Sequence, residues 1–315
     1  MLRFAARRAA MLVAALVVSS FAIFASLDLS PGDPLSTLTG GRTLPPEAVA
    51  QLRDQYHLDD PFLTRYLDWV SGALQGDLGT SIAFREPVSS VIDARAGTTV
   101  WLVLYAALLI VLFGVGLGVL AGLRRGVVDS TIVAATSVLA AVPSFVAAIV
   151  LLSVFAVNLG WFPALGTGEG LGDGIRHLTL PAVALALSAM AIVVRVTRVS
   201  VRGELGREHI QTAISRGVPY AAVVRRHVLR NAAIPVTTVV GVTITSLIAL
   251  SAVIERAFSL DGLGAAMVQA ALSKDFAVVQ GIALVFVVAF VVANALVDLL
   301  YAALDPRVAV GSRAA

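Results

Sequence analysis

Residues Arg195 to Asn231 read RVTRVSVRGELGREHIQTAISRGVPYAAVVRRHVLRN. This stretch holds eight of the chain's twenty-three basic residues, all Arg, and separates two segments apolar enough to cross a bilayer. A basic, hydrophilic stretch in that position reads as a cytoplasmic loop. Within it, Glu208 to Arg216 is predicted to form a short helix with Ile210, Ala213 and Ile214 along one side. Gly217 supplies a residue free to take the left-handed conformation in which helices commonly end. Pro219 suits the first turn of a second helix, Tyr220 to Arg230, because the N–H it lacks would be unpaired there. The expected product is a helix, a tight Gly-Val-Pro turn and another helix.

Working outward, the composition sets the class. Of 315 residues, 58% are hydrophobic and 14% charged, against about a quarter charged in a soluble domain. The chain is an integral membrane protein. It has no cysteine, which excludes disulfides and thiolate metal sites. Its four histidines, His57, His177, His209 and His227, are too scattered to suggest a metal cluster. Six apolar runs of roughly spanning length occur at 9–27, 98–123, 130–157, 178–199, 232–254 and 276–304. An even number places both termini on one side. With the termini inside, the cytoplasmic parts carry fifteen Lys and Arg and the external parts eight. Most of those eight lie in the long first external segment, 28–97, where the rule acts weakly. Both termini are therefore expected in the cytoplasm, with an external segment at 28–97, a five-span core at 98–304 and the cytoplasmic loop at 195–231.

The remaining segments fit this plan. Arg3, Arg7 and Arg8 before an apolar run also open a secretory signal, but no A-x-A site follows and five spans come later, so a retained first span is expected. In the external segment, Pro46 and Pro61 open amphipathic helices, the first with Ala48, Val49 and Leu52, the second with Phe62, Tyr66, Trp69 and Val70. Such aromatic, amphipathic pieces fit a lid lying on the outer membrane surface. Structural packing around the outer mouth is the simpler reading of each residue, and together they mark where something docks or enters. Gly114, Gly118 and Gly122 recur every four residues, a spacing that lets helices approach closely in lipid. Pro143 should kink the third span, while Pro181 and Pro235 fall near span starts, where proline costs little. Trp161 and the Gly-rich 166–174 form an external loop, and so does the partly helical 255–276, which turns at Asp261 and Gly262. Asp298, near the end of the last span, reads as an interfacial carboxylate.

Several chemistries are excluded. No span carries a midplane charge of the kind ion-coupled carriers need. There is no G-x-x-x-x-G-K-[ST] loop, and the only lysine, Lys274, lies in an external stretch, so the chain does not hydrolyse ATP alone. No nucleophile is paired with a base, and His227 reads as an interface residue. A basic helix after a Gly turn can read DNA, but this one is tethered to the membrane at both ends. A rigid knob for a soluble cytoplasmic partner is the natural reading, with an ATPase as that partner.

At these residues the chain resembles the inner-membrane permease subunits of binding-protein-dependent ABC importers, specifically the first permease of the dipeptide, oligopeptide and nickel group. That family carries an E-A-A-x-x-x-G loop; here Gln211, Thr212, Ala213 and Gly217 stand in those places. The family's later I-x-L-P element is replaced by HVLRNAAIP at His227 to Pro235, an ending similar to the peptide branch. LSPGDP at Leu29 to Pro34, GDLGTS at Gly76 to Ser81, ERAFSLDGLG at Glu255 to Gly264 and LVDLLYAALDPR at Leu296 to Arg307 also look like this branch.

The resemblance implies an all-α, six-span type I importer permease without cofactor or metal of its own, sitting in the lipid bilayer of a bacterial inner membrane. Its implied partners are a second homologous permease, two ATP-binding subunits that hold ATP and Mg, and an extracytoplasmic substrate-binding protein; nucleic acid is not among them. Gln211, Thr212, Ala213, Gly217, Val218, Pro219 and Tyr220 would form the ATPase-coupling loop. Peptides, nickel chelates and haem are all carried by relatives, and a non-transporting scaffold using the same loop is the competing class.

Overall fold

The computed structural model of the chain describes residues 2–28, Pro45, Glu47 and 60–304. The LSPGDP turn, most of the Pro46 helix, the last three residues of LVDLLYAALDPR and the side chain of Asp298 lie outside that description. In hydrocarbon every backbone N–H and C=O must find a partner within the protein, which favours helix wherever the sequence is apolar. Accordingly the described residues are almost entirely helical, with one isolated bridge between Thr80 and Pro87.

The helices are α1 (Leu2–Asp28), α2 (Phe62–Leu74), α3 (Val88–Leu123), α4 (Val127–Ala141) and α5 (Ser144–Asn158). They continue with α6 (Gly170–Leu205), α7 (Glu208–Ser215), α8 (Tyr220–Ala257), α9 (Leu263–Leu272) and α10 (Phe276–Leu304). Among the described residues, four helices are long and apolar enough to cross a membrane, namely α3, α6, α8 and α10, and the bent pair α4 and α5 makes five if counted as one span. Within α1 the side chains described, those of Ala10–Ser26, form an apolar stretch of helix, and α1 packs along α10.

Helix α6 is the centre of the bundle, touching α3, α4, α5 and α8. Its most apolar window is 56% buried, against 17% for that of α10. The main core gathers Leu102, Ala106 and Ile110 of α3, Ala148 of α5, Leu185 and Val193 of α6 and Leu247 and Ile254 of α8. The glycine row of α3 lies against α6 as the four-residue spacing predicts. A Cβ on Gly114 would meet Val193, one on Gly118 would meet Thr197, and one on Gly122 would meet Val201. These three partners are themselves four residues apart, so two helices of equal pitch mesh along one line.

Pro143 does more than kink the third apolar run. It ends α4 and restarts the chain as α5 at an angle of 98°, with Val142 extended, because a residue before proline is driven out of the α region. The freed carbonyl of Val142 accepts a hydrogen bond from Ser188 Oγ of α6 at 3.1 Å. Pro181 and Pro235 also differ from expectation. Both lie inside long helices rather than at their starts, because the helices run well beyond the apolar segments that hydropathy delimits.

At the end of the bundle away from the arginine-rich stretch, buried carboxylates pin the connecting segments. Glu255 accepts from Thr99 Oγ1 at 2.8 Å and from the Ala265 N–H at 3.0 Å, while Thr99 Oγ1 accepts the Leu263 N–H at 2.9 Å. Asp275 accepts from Ser81 Oγ at 2.6 Å and from the Ala83 N–H at 2.9 Å. The matched stretches GDLGTS and ERAFSLDGLG thus act as clasps that hold α9 and α10 against α3. The aromatic residues of α2 pack on α1: Tyr66 stacks edge-on against Phe21 and Phe24, and its hydroxyl lies 2.9 Å from Ser20 Oγ. This is the packing role that the simpler reading assigned them.

Candidate coupling element at the arginine-rich end

The 195–231 stretch is less of a loop than its polarity suggests. Arg195 to Leu205 completes α6, and Tyr220 onward is the start of α8, which continues through a π turn at Val224–Val228 into the apolar span. The separate second helix expected at Tyr220 to Arg230 therefore does not exist as such. Arginine is a good helix former, so the helices continue where hydropathy ends, and only 206–219 connects them.

That connection is α7 with its two turns. α7 closes as predicted: Gly217 has φ +78°, its N–H donates to Ile214 O at 2.9 Å, and the Val218 N–H donates to Ala213 O at 3.1 Å. These two bonds make a Schellman motif with Gly217 at the position just past the helix end. Pro219, at φ −56°, then precedes the first residue of α8. The inward face of α7 is anchored by Ile210, fully buried among Val201, Val223, Val228 and Ala232.

The π turn has a visible purpose. Val223 and Val228 are both fully buried although five residues apart, and an i to i+5 turn stacks residues at that spacing. The three residues Arg225, Arg226 and His227 are thereby all left exposed.

Polar contacts fix the element to its neighbours. Glu204, at the end of α6 and only 8% exposed at its side chain, pairs with Arg207 Nε at 2.9 Å and accepts from Asn231 Nδ2 at 3.2 Å. One carboxylate therefore ties the end of α6, the entry to α7 and the start of α8. Gln211 Nε2 donates to the free carbonyl of Leu205 at 3.2 Å, and Thr212 Oγ1 donates to Glu208 O at 3.0 Å. Beside them Arg198 and Arg202 of α6 hold Asp129 of α4, and Arg202 Nη2 also donates to Ala121 O and Arg124 O at the end of α3.

Of the residues assigned to the coupling loop, Gln211, Thr212, Gly217, Val218, Pro219 and Tyr220 are exposed, and Ala213 is half-buried. Sequence reasoning missed Glu204, Asn231 and Asp129. Their partners lie up to 73 residues away along the chain, and the local signals are the pair Arg198 and Arg202, one helical turn apart on one face, and Arg207 three residues after Glu204.

The geometry can be set beside known proteins. Residues 114–310 match the family model described as binding-protein-dependent transport system inner membrane component, and residues 1–104 match the N-terminal model of the binding-protein-dependent transport system membrane component. The chain is 34% identical over 315 residues to the glutathione transport system permease protein GsiC of Escherichia coli (strain K12), covering 98% of this chain and 99% of that one. It is 35% identical over 309 residues to the oligopeptide transport system permease protein AppB of Bacillus subtilis (strain 168), covering 96% and 98%. Among solved structures, an inward facing conformation of the MetNI methionine ABC transporter matches with a TM-score of 0.56 at 18% identity, over 68% of this chain and 96% of that one. An amino acid ABC transporter matches with a TM-score of 0.52 at 17% identity, over 68% and 94%. At such identities these two establish the fold alone, and with it the type I importer permease architecture. The match of both family models, the identity along nearly the whole length of the curated permeases and the knob between α6 and α8 lead to one conclusion: the chain belongs to the family of inner membrane components of binding-protein-dependent transport systems.

Proposed function

We propose that this chain is the permease subunit of an ATP-driven peptide importer. It spans a bacterial inner membrane six times, with α1 as the first span and the arginine-rich end in the cytoplasm, as its excess of Arg directs. A second homologous permease completes the pathway, two cytoplasmic ATPases bind ATP and Mg beneath it, and an extracytoplasmic binding protein delivers substrate. Peptide is the preferred cargo because GsiC and AppB are named for glutathione and oligopeptide transport.

The observation that carries the reading is α7 itself. It is pinned to the bundle through Ile210 and Glu204 and exposed along Gln211 to Tyr220, so a push on its outer face is delivered to the ends of α6 and α8. From α6 the push reaches α4, which is tied to it at one end by Asp129 and at the other by the bond from Ser188 to Val142 O. Pro143 then separates this rigid unit from α5 and offers a hinge. Movement of packed helices as units, with a break between them, is a recognised way to alternate between two states.

Gly217→Pro tests the reading. Proline cannot take φ +78° and would remove the N–H that bonds Ile214 O. In proteoliposomes containing the whole importer, ATP hydrolysis should continue while peptide uptake falls to background. Normal uptake in that variant would refute the lever.

A further inference from the structure

The outer face of the coupling element carries charge that the chain leaves unanswered. Arg216, Arg225, Arg226 and Arg230 are exposed, and among the described residues none of them is ion-paired. The nearby acids are committed elsewhere, Asp129 to Arg198 and Arg202 and Glu204 to Arg207, while Glu208 is exposed at the opposite end of α7 from Arg216. Between these guanidinium groups lies an apolar tip: Tyr220 is 54% exposed, Ile214 42% and Val218 36%. The π turn presents Arg225 and Arg226 on this outer face instead of letting one of them rotate towards Val223 and Val228.

Depth separates two candidate occupants. Tyr220 precedes Ala232, where the apolar run begins, by twelve residues, which is about 18 Å of helix. The headgroup layer on each side of the hydrocarbon is only about 5–7 Å thick. The tip and Arg216 therefore stand clear of the lipid surface, whereas Arg230, two residues from Ala232, lies at headgroup depth. An exposed apolar tip with the unpaired Arg216 beside it in sequence stands clear of lipid. Arg226 and Arg225, six and seven residues before Ala232, lie about 9–10 Å along the helix, just outside the headgroup layer. Together they match a protein surface of the opposite sign.

Resting on the importer reading above, we infer that the ATPase surface receiving α7 is an apolar pocket rimmed by carboxylates. Ile214, Val218 and Tyr220 fill the pocket, and Arg216, Arg225 and Arg226 pair with its rim. Such pairing favours planar guanidinium forks over point charges and weakens as salt rises.

The test uses the complete importer, purified through a tag on this chain and held in nanodiscs of phosphatidylcholine, with or without phosphatidylglycerol. Retention of the ATPase is measured over a sodium chloride series for the native chain, for Arg216→Glu with Arg225→Glu and Arg226→Glu, and for the corresponding triple Lys variant as a folding control. The native chain should lose ATPase steadily with salt. The Glu variant should bind about tenfold or more weakly in both lipids, and the Lys variant should fall between them. Retention indifferent to salt and to charge reversal would overturn the inference alone. A charge-reversal effect confined to discs with phosphatidylglycerol would overturn it in favour of lipid headgroups. A native chain that retains no ATPase at any salt would overturn the importer reading, and this inference with it.

Discussion

Arg198 grips Asp129 with both arms of its guanidinium, Nη2 lying 2.7 Å from Oδ2 while Nε bonds Oδ1. Arg202, one turn further along α6, adds Nη1 at 3.0 Å from the same Oδ2. The two arginines straddle the first turn of α4, where a carboxylate is also favoured by the helix dipole. A fork-to-carboxylate contact fixes orientation as well as distance, so this joint sets the angle at which α4 leaves the arginine-rich end.

Breaking the joint should therefore impair transport more than it impairs assembly. Arg198→Lys keeps the charge but loses the fork, and it should lower peptide uptake nearly as much as Arg198→Ala does. Asp129→Ala combined with Arg198→Ala should be no worse than the more damaging single change, because Asp129→Ala already removes the contact that Arg198→Ala removes, along with that of Arg202. Uptake in proteoliposomes, normalised to assembled complex, checks this. Strictly additive losses would mean that the two residues act separately.

The glycine row gives a prediction about stability. A Cβ on Gly118 would lie 2.5 Å from Thr197 Cβ and 2.8 Å from Val194 O, and one on Gly122 would lie 2.7 Å from Val201 Cβ. The carbonyl belongs to the backbone of α6 and cannot move without moving that helix. Gly118→Ala and Gly122→Ala should each destabilise the chain by about 1–3 kcal/mol through overpacking. Gly116 precedes them in the same helix, and a Cβ added there would meet nothing within 4 Å. Gly116→Ala should therefore leave the thermal midpoint in detergent unchanged or raise it slightly. Equal effects at all three positions would show that helix propensity, not close packing, governs the row.

These two relationships differ in how far the sequence announces them. The row at Gly114, Gly118 and Gly122 is a local period, and so its packing role could be read directly. Gly217 was legible for the same reason, since a left-handed helix end is a property of a few neighbouring residues. Asp129 and Arg198 sit in separate helices, and only the fold brings them together. The limits of α6 and α8 were hidden differently. Hydropathy marks where lipid ends, while Arg195 to Leu205 and Tyr220 to Asn231 stay helical beyond it because nothing in them breaks a helix. At Pro143 the proline was evident, but the 98° break depends on Ser188 of α6 being placed to satisfy Val142.

Gln211 stands where the family loop has Glu, and its amide explains what the substitution does here. Nε2 donates to Leu205 O at 3.2 Å, one of the carbonyls left without an intrahelical partner at the end of α6. A carboxylate has no proton to give that carbonyl and would meet the negative end of the helix dipole, at a cost of about 0.3–1 kcal/mol. Losing the hydrogen bond adds about 0.5–1.5 kcal/mol. Gln211→Glu should therefore loosen α7 and reduce uptake partially, and Gln211→Ala, which removes the bond without adding repulsion, should be milder. Amide exchange at Gly206 and Ile210, together with uptake, separates the cases. If Glu supports faster uptake than Gln with α7 equally protected, position 211 serves the partner's surface rather than the end of α6.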